Sequence, residues 1–215
     1  VTALMQRCGF AAKGLFVMDG SRRSAHANAY FTGFGSSKRV VFYDTLLKQL
    51  DGDEVEAVLA HELGHFKHKH IARRMVLMFA LSLAGFALLG WLSQQAWFYS
   101  GLGVLPSVQL AMGMPQGDDN AVALLLFLLA LPVFTFFVSP LVAMGSRRDE
   151  FQADAYAMTQ ADGSALASAL LKLYEDNAST LTPDPVYAKF YYSHPPALER
   201  LARMPAPAHS AGAAA

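Results

Sequence analysis

The chain has 215 residues, with 17 basic and 17 acidic side chains and a formal net charge of zero. That length suits one domain, or one domain with an excursion. A neutral balance, with an isoelectric point near 7.2, excludes the basic footprint of a nucleic-acid binder. Charged residues make up only 16% of the chain and the mean hydropathy is +0.27, which excludes disorder and implies a chain that is not wholly soluble. Cys8 is the single cysteine, so an internal disulfide and a finger-type zinc site are both excluded. Because it begins at Val1 rather than Met, the sequence is expected to be a piece of a longer protein.

In chain order, Leu15–Met18, Ala29–Thr32 and Arg39–Tyr43 have the composition of short strands, with Gly33 and Gly35 as turn residues. From about Asp53 the pattern becomes helical. Asp51 or Asp53 can cap, Glu54 and Glu56 occupy the first turn, and Val55, Val58, Leu59 and Leu63 recur at helical spacing. Met75–Leu92 and Ala121–Met144 carry no charge, the second enclosing Pro132 and Pro140. Each approaches the ~20 apolar residues of a membrane span, and neither has the polar face of a globular surface helix. A buried core helix is the alternative. Basic flanks at Lys67, Lys69, Arg73, Arg74, Arg147 and Arg148 contrast with Asp118 and Asp119 in the connecting hairpin, which puts both soluble ends in the cytoplasm. Trp91, Trp97 and Tyr99 fit an interfacial belt. A helix is expected from Ser146 to Met158 and another with Ser164 as N-cap. The Pro183–Pro185 stretch then leads to Tyr191–Pro196 and a short helix through Arg203. The expected organisation is an N-terminal lobe (1–74), a transmembrane hairpin (75–145, spans about 75–95 and 121–144), a C-terminal lobe (146–204) and a frayed tail (205–215).

His61-Glu62-Leu63-Gly64-His65 places an HExxH sequence inside a predicted helix. Four residues is just over one turn, so both imidazoles leave one face and can share a tetrahedral metal. Glu62, rotated by about 100°, can hold a water and take its proton. The bland reading is a solvated helix end with ordinary His and Glu. A catalytic zinc site wants a third protein ligand and one open position. His68 and His70 are near, but one straight helix cannot wrap three ligands around an ion, and the position of a third His ten residues after the first is Ile71. They are expected to be juxtamembrane polar residues. Glu150 and Asp154, at i and i+4 on the second-lobe helix, suit a ligating carboxylate and an acceptor for a ligand His N–H. Small Ala153, Ala155 and Ala157 would allow close helix approach; the competing reading is a solvated acidic face.

The combination resembles the membrane zinc endopeptidases of the CAAX prenyl protease type, with the HtpX-like heat-shock proteases as relatives. The resemblance rests on Asn28–Phe34, Phe42–Leu46, Val58–His65, Ser146–Asp154 and Tyr192–Arg200, which span nearly the whole chain in order. The last two are closer to the prenyl-protease branch. The resemblance implies one zinc per chain on His61, His65 and Glu150, with Glu62 as general base. It also implies that His194 and Arg200 face the substrate carbonyl and that the Asn28 strand lies beside the cleft. Family members carry further membrane helices upstream.

The expected fold is therefore mainly α with a small β-sheet, zincin-like, with two transmembrane helices. The expected function is a multi-pass, zinc-dependent membrane endopeptidase acting near the cytoplasmic face. Its substrates are peptides or proteins, either prenylated C-terminal tails or damaged and short membrane peptides, and not nucleic acid. The rivals are HtpX-like quality control and a non-catalytic metal-binding membrane adaptor. Retention of Glu62 speaks against the adaptor, because a structural site closes its fourth position with a protein ligand.

Overall fold

A computed structural model describes residues 1–10, 14–22, 28–32, 39–113, 120–176 and 180–206. Gly33 and Gly35, Asp118 and Asp119, and most of the expected frayed tail lie outside the described residues. The chain divides into two compact units, Val1–His70 with Val142–Ala215, and Ile71–Leu141.

In the first unit, helix α1 (Thr2–Arg7) precedes three strands, β1 (Leu15–Met18), β2 (Ala29–Thr32) and β3 (Arg39–Tyr43). The strands match the segments expected from composition. Their order is β1-β3-β2, with β1 parallel and β2 antiparallel to β3, and Ala29 opposite Phe42. Central β3 buries Val40, Val41 and Phe42, so it shows no polar-out alternation. It runs directly into α2 (Asp44–Gln49) and α3 (Gly52–Lys67).

Asp51 is the cap of α3. Its side chain accepts from the Glu54 amide while the Glu54 carboxylate accepts from the Asp51 amide, a reciprocal capping box. Glu54, 1% exposed, also accepts from Ser168 Oγ and from Lys172 Nζ, both at 2.7 Å. Both donors lie on α8 (Gly163–Asp176). Leu59, Leu63, Leu166 and Ala169 continue this contact into the core that holds Leu4, Leu46 and Val40. Asp162, not Ser164, caps α8: its carboxylate accepts from the Ser164 amide at 2.9 Å and from Ser164 Oγ at 2.8 Å. An acidic acceptor at the positive end of a helix is favoured, and Ser164 supplies the donors.

The expected break between the second span and the next helix is absent. Helix α7 runs unbroken over 41 residues, Asn120–Gln160. Gly145 costs about 1 kcal/mol relative to Ala, too little to end an otherwise continuous helix. Pro140 cannot donate to the Phe136 carbonyl, and Ser139 Oγ donates to it instead at 2.8 Å. On the first-unit part of α7, Ala153 and Ala157 are buried, whereas Ala155 is exposed and takes no part in helix approach because it lies on the opposite face. The tight contact is Gly64 on Ala153: a Cβ at Gly64 would lie 2.9 Å from Ala153 Cα and 3.0 Å from its carbonyl oxygen. Two short helices, α9 (Pro185–Tyr191) and α10 (Ala197–Leu201), complete the unit, α10 ending before Arg203 because the chain turns at Ala202.

In the second unit, α4 (His70–Leu92) supplies residues 71–92, followed by α5 (Ala96–Gly101), α6 (Val108–Ala111) and the first half of α7. The first helix ends at Leu92, short of the expected 95, where Ser93 Oγ donates to the Gly90 carbonyl. Buried Tyr99 donates its hydroxyl to the Ser93 carbonyl at 3.0 Å and packs with Phe98, Leu110, Ala123 and Leu126. Phe79, Leu83, Phe86, Phe134 and Phe137 are exposed. Both α4 and α7 are long and apolar enough to cross a membrane.

Candidate active site

The site forms where α3 crosses α7. Because Gly64 lets the two backbones meet, the His61–His65 face of α3 stands against Glu150 and Asp154, one turn apart on α7. His61 Nε2 lies 3.2 Å from His65 Nε2 and 3.5 Å from Glu150 Oε2, and His65 Nε2 lies 3.4 Å from Glu150 Oε1. Among the described residues, these three form the group whose ligand atoms lie mutually within 4.8 Å. Zinc bonds of ~2.0–2.1 Å in a tetrahedron place donor atoms about 3.3–3.4 Å apart, so the three side chains fit such an ion.

His61 Nδ1 faces Asp154 Oδ1 at 2.8 Å, which leaves Nε2 directed at the cluster. Asp154 in turn accepts two hydrogen bonds from Arg200 of α10, Nη2 to Oδ1 at 2.6 Å and Nε to Oδ2 at 2.8 Å. Arg200 is buried, with Nη1 3.8 Å from Glu150 Oε2. His194 is largely exposed and puts Nε2 3.4 Å from Glu150 Oε1. Its segment is held by Arg147 Nη1, which donates to the Tyr192 carbonyl at 2.6 Å, and by Tyr174, which donates to the Pro195 carbonyl at 3.1 Å.

These groups are strongly coupled. Burial alone would press the His61 imidazole down, but the Asp154 and Glu150 carboxylates outweigh it and hold it up at about 9. Burial and the neighbouring His61 push His65 down to about 4. Burial would raise Glu150 and Asp154; their bonds to His61, and that of Asp154 to Arg200, hold each at about 2. Among the described residues Glu62 has no such donor, and burial pushes its carboxyl above the ordinary range.

Asn28, His61, Glu62, Glu150, His194 and Arg200 line one cavity of about 180 Å³, floored by Leu46, Leu166 and Leu170. A wider hollow of about 630 Å³ shares Leu170, Leu173, His194 and Arg200 with it and adds Tyr174, Tyr191 and Tyr192. The structure thus brings together every residue singled out from the sequence for metal, catalysis or substrate. His68 is exposed, as expected. His70, the first residue of α4, likewise stays out of the ligand group, but it is buried: it is 3% exposed, with Nδ1 2.9 Å from His65 Nδ1 and Nε2 3.0 Å from Gln152 Oε1. The cause is Lys69, whose left-handed backbone (φ 56°) ends α3 and turns the chain back over His65. No glycine marks that turn.

An HExxH helix crossed by a glutamate-bearing helix, beside a small mixed sheet, is a zincin-like fold. The chain belongs to peptidase family M48, which matches residues 1–208. It is 38% identical over 200 residues to a CAAX prenyl protease 1 homolog of Arabidopsis thaliana, covering 89% of this chain and 43% of the relative. With the CAAX prenyl protease 1 of Saccharomyces cerevisiae it shares 34% over 209 residues, covering 94% and 46%. The crystal structure of Ste24p from S. mikatae superimposes with a TM-score of 0.80 at 34% identity, covering 94% of this chain and 48% of that one. The chain therefore spans about half the length of the relatives it matches.

Proposed function

We propose that the chain carries the catalytic centre of a zinc-dependent membrane endopeptidase of the CAAX prenyl protease kind. The observation that carries this is the convergence of His61, His65 and Glu150 at donor spacings suited to one zinc, with Glu62 on the same cavity wall. Zinc, when bound, supplies Lewis-acid polarisation of a carbonyl and acidification of water. The chain's own residues do the rest. Asp154 holds the His61 tautomer. Glu62, its carboxyl raised by burial, takes a proton from the attacking water and returns it to the leaving amine. His194 Nε2 and the Nη1 edge of Arg200, the edge that Asp154 leaves uncommitted, donate to the carbonyl oxygen as charge develops there. Asn28 precedes β2, an edge strand, where an extended peptide can pair.

Substrates on this reading are peptides or proteins, with prenylated C-terminal tails favoured by the relatives' names over the quality-control alternative. The basic flanks support a topology with the soluble segments 1–74 and 146–204 on the cytoplasmic side, joined by a hairpin through the bilayer. The test uses detergent-solubilised protein, its zinc content and cleavage of prenylated and plain peptides. About one zinc per chain is expected, lost in Glu150→Ala and kept in His68→Ala. Glu62→Gln should keep zinc and lose ~10²–10⁴-fold in turnover. Zinc binding without cleavage of either peptide would make the site structural and sink the proposal.

A further inference from the structure

Each of the two α3 imidazoles at the site, His61 and His65, has an inner nitrogen and an outer one. The outer nitrogen of His61 meets a carboxylate, Asp154. The outer nitrogen of His65 meets neither a carboxylate nor a backbone carbonyl but a second imidazole, His70, at 2.9 Å. Two neutral imidazoles joined Nδ1 to Nδ1 have one proton between them, so one donates and the other accepts. A metal on His65 Nε2 decides which. With its Nε2 lone pair committed, His65 must carry its proton on Nδ1 and donate it. His70 Nδ1 must then be the acceptor, which puts the His70 proton on Nε2. That nitrogen faces the Gln152 side-chain oxygen at 3.0 Å, with Asp149 Oδ1 at 3.7 Å beyond it. Every contact in the chain from Gln152 to His65 agrees with one direction of donation.

We infer that His70 is a positioning residue: through a relay from Gln152 it fixes His65 in the one tautomer and ring orientation that can bind metal. This rests on the reading of His61, His65 and Glu150 as a metal site. The backbone supports it independently. At five residues' separation on a straight helix the two rings would point about 140° apart. The left-handed Lys69 breaks the helix between them and returns His70, buried, onto His65. His68, exposed, stacks on His70 with ring centroids 5.5 Å apart and so covers the relay's outer side.

The relay also makes the two ligands unequal. The partner of His61 is an anion neutralised by Arg200, whereas His65 leans on an imidazole that faces the Gln152 amide, with the Asp149 carboxylate farther off at 3.7 Å.

The test compares His70→Ala, His70→Asn and Gln152→Leu in the detergent-solubilised chain. Zinc affinity is read by chelator competition, the cobalt(II)-loaded protein by its visible absorption, and the melting temperature with chelator present. His70→Ala should weaken zinc ~10–100-fold and shift the cobalt bands, because His65 loses its acceptor. Asparagine, whose amide oxygen can accept, should recover much of the affinity. Gln152→Leu should give a smaller loss, since it removes the bias on His70 but not the acceptor. His65→Ala is the control that separates the two levels of argument. If it loses zinc while His70→Ala binds as tightly as wild type, the relay is wrong and the metal site stands. If His65→Ala keeps zinc, both are wrong. Equal losses in His70→Ala and His70→Asn, with matched falls in chelated melting temperature and unchanged cobalt bands, would mean that His70 only fills space.

Discussion

Asp154→Asn separates what stabilises the fold from what holds the metal site. Asp154 Oδ1 accepts from His61 at 2.8 Å and from Arg200 Nη2 at 2.6 Å, and Oδ2 accepts from Arg200 Nε at 2.8 Å. An asparagine oxygen can keep the first two bonds. Its amino group then meets the Arg200 Nε–H, donor against donor, and the carboxylate charge is gone. The Arg200 side chain is 9% exposed, and the other carboxylate near it is Glu150, 3.8 Å from Nη1. Breaking a buried ion pair from one side costs ~3–5 kcal/mol. The surviving oxygen and Glu150 offset part of that, which places the loss near the lower end, about 3 kcal/mol. For a chain of this size that lowers the melting temperature by about 6–12 °C. Zinc affinity should fall ~10–100-fold, because a neutral acceptor holds His61 less firmly. Both are measured on detergent-solubilised protein, the melting temperature with chelator present. Adding Arg200→Met should restore part of the stability, since no charge is left orphaned, but none of the zinc affinity. If the single variant melts and binds zinc as wild type does, Asp154 is not the link between Arg200 and His61.

Three further outcomes follow from packing and charge. Glu54 has its carboxyl held below its ordinary 4.5, because burial, which would raise it, is outweighed by Lys172, Ser168 and the Asp51 amide; its stabilisation is therefore present above pH 4.5 and lost as pH falls through the lower folded value. Glu54→Gln should be less stable than wild type at pH 7, with the gap closing below pH 4.5, and a gap independent of pH would refute the assignment. Gly64→Ala should weaken zinc and lower stability despite alanine's helix preference, since its Cβ would meet Ala153 backbone at 2.9 Å and overpacking costs ~1–3 kcal/mol; an unchanged melting temperature and zinc affinity would show that the helices can part freely. Lys69→Gly should be tolerated, while Lys69→Val should lose stability by about 1 kcal/mol or more because a β-branched residue resists φ 56°; equal stability of the two would deny that the turn is under backbone constraint.

The parts of this molecule that sequence discloses are those whose cause is local. The three strands coincide with runs of β-branched and aromatic residues, and the α3 start is set by Asp51 and Glu54, a pair three residues apart. His61 and His65 share a face by helix period alone. Where two local signals compete, the reading fails on magnitude. An uncharged run to Met144 and a charged one from Ser146 read as separate elements, yet the cost of the one glycine between them is small beside that of ending a helix. Ser164 looked like a cap, yet it is the donor to Asp162.

The supports of the site are a different matter. Arg200 and Asp154 are 46 residues apart, and nothing near either one marks the pairing. His70 depends on a left-handed backbone at a lysine, which composition does not announce. An HExxH helix is therefore readable as chemistry before it is readable as structure. The groups that meet the ion lie on two helices whose periods display them. Of the groups that aim those side chains, Asp154 is legible one turn from Glu150, whereas His70, Gln152 and the Arg200 clamp on Asp154 become visible only when α3 and α7 close on Gly64 and Ala153. A change at Arg200 or His70 can thus disable the centre without touching any residue that its motif names.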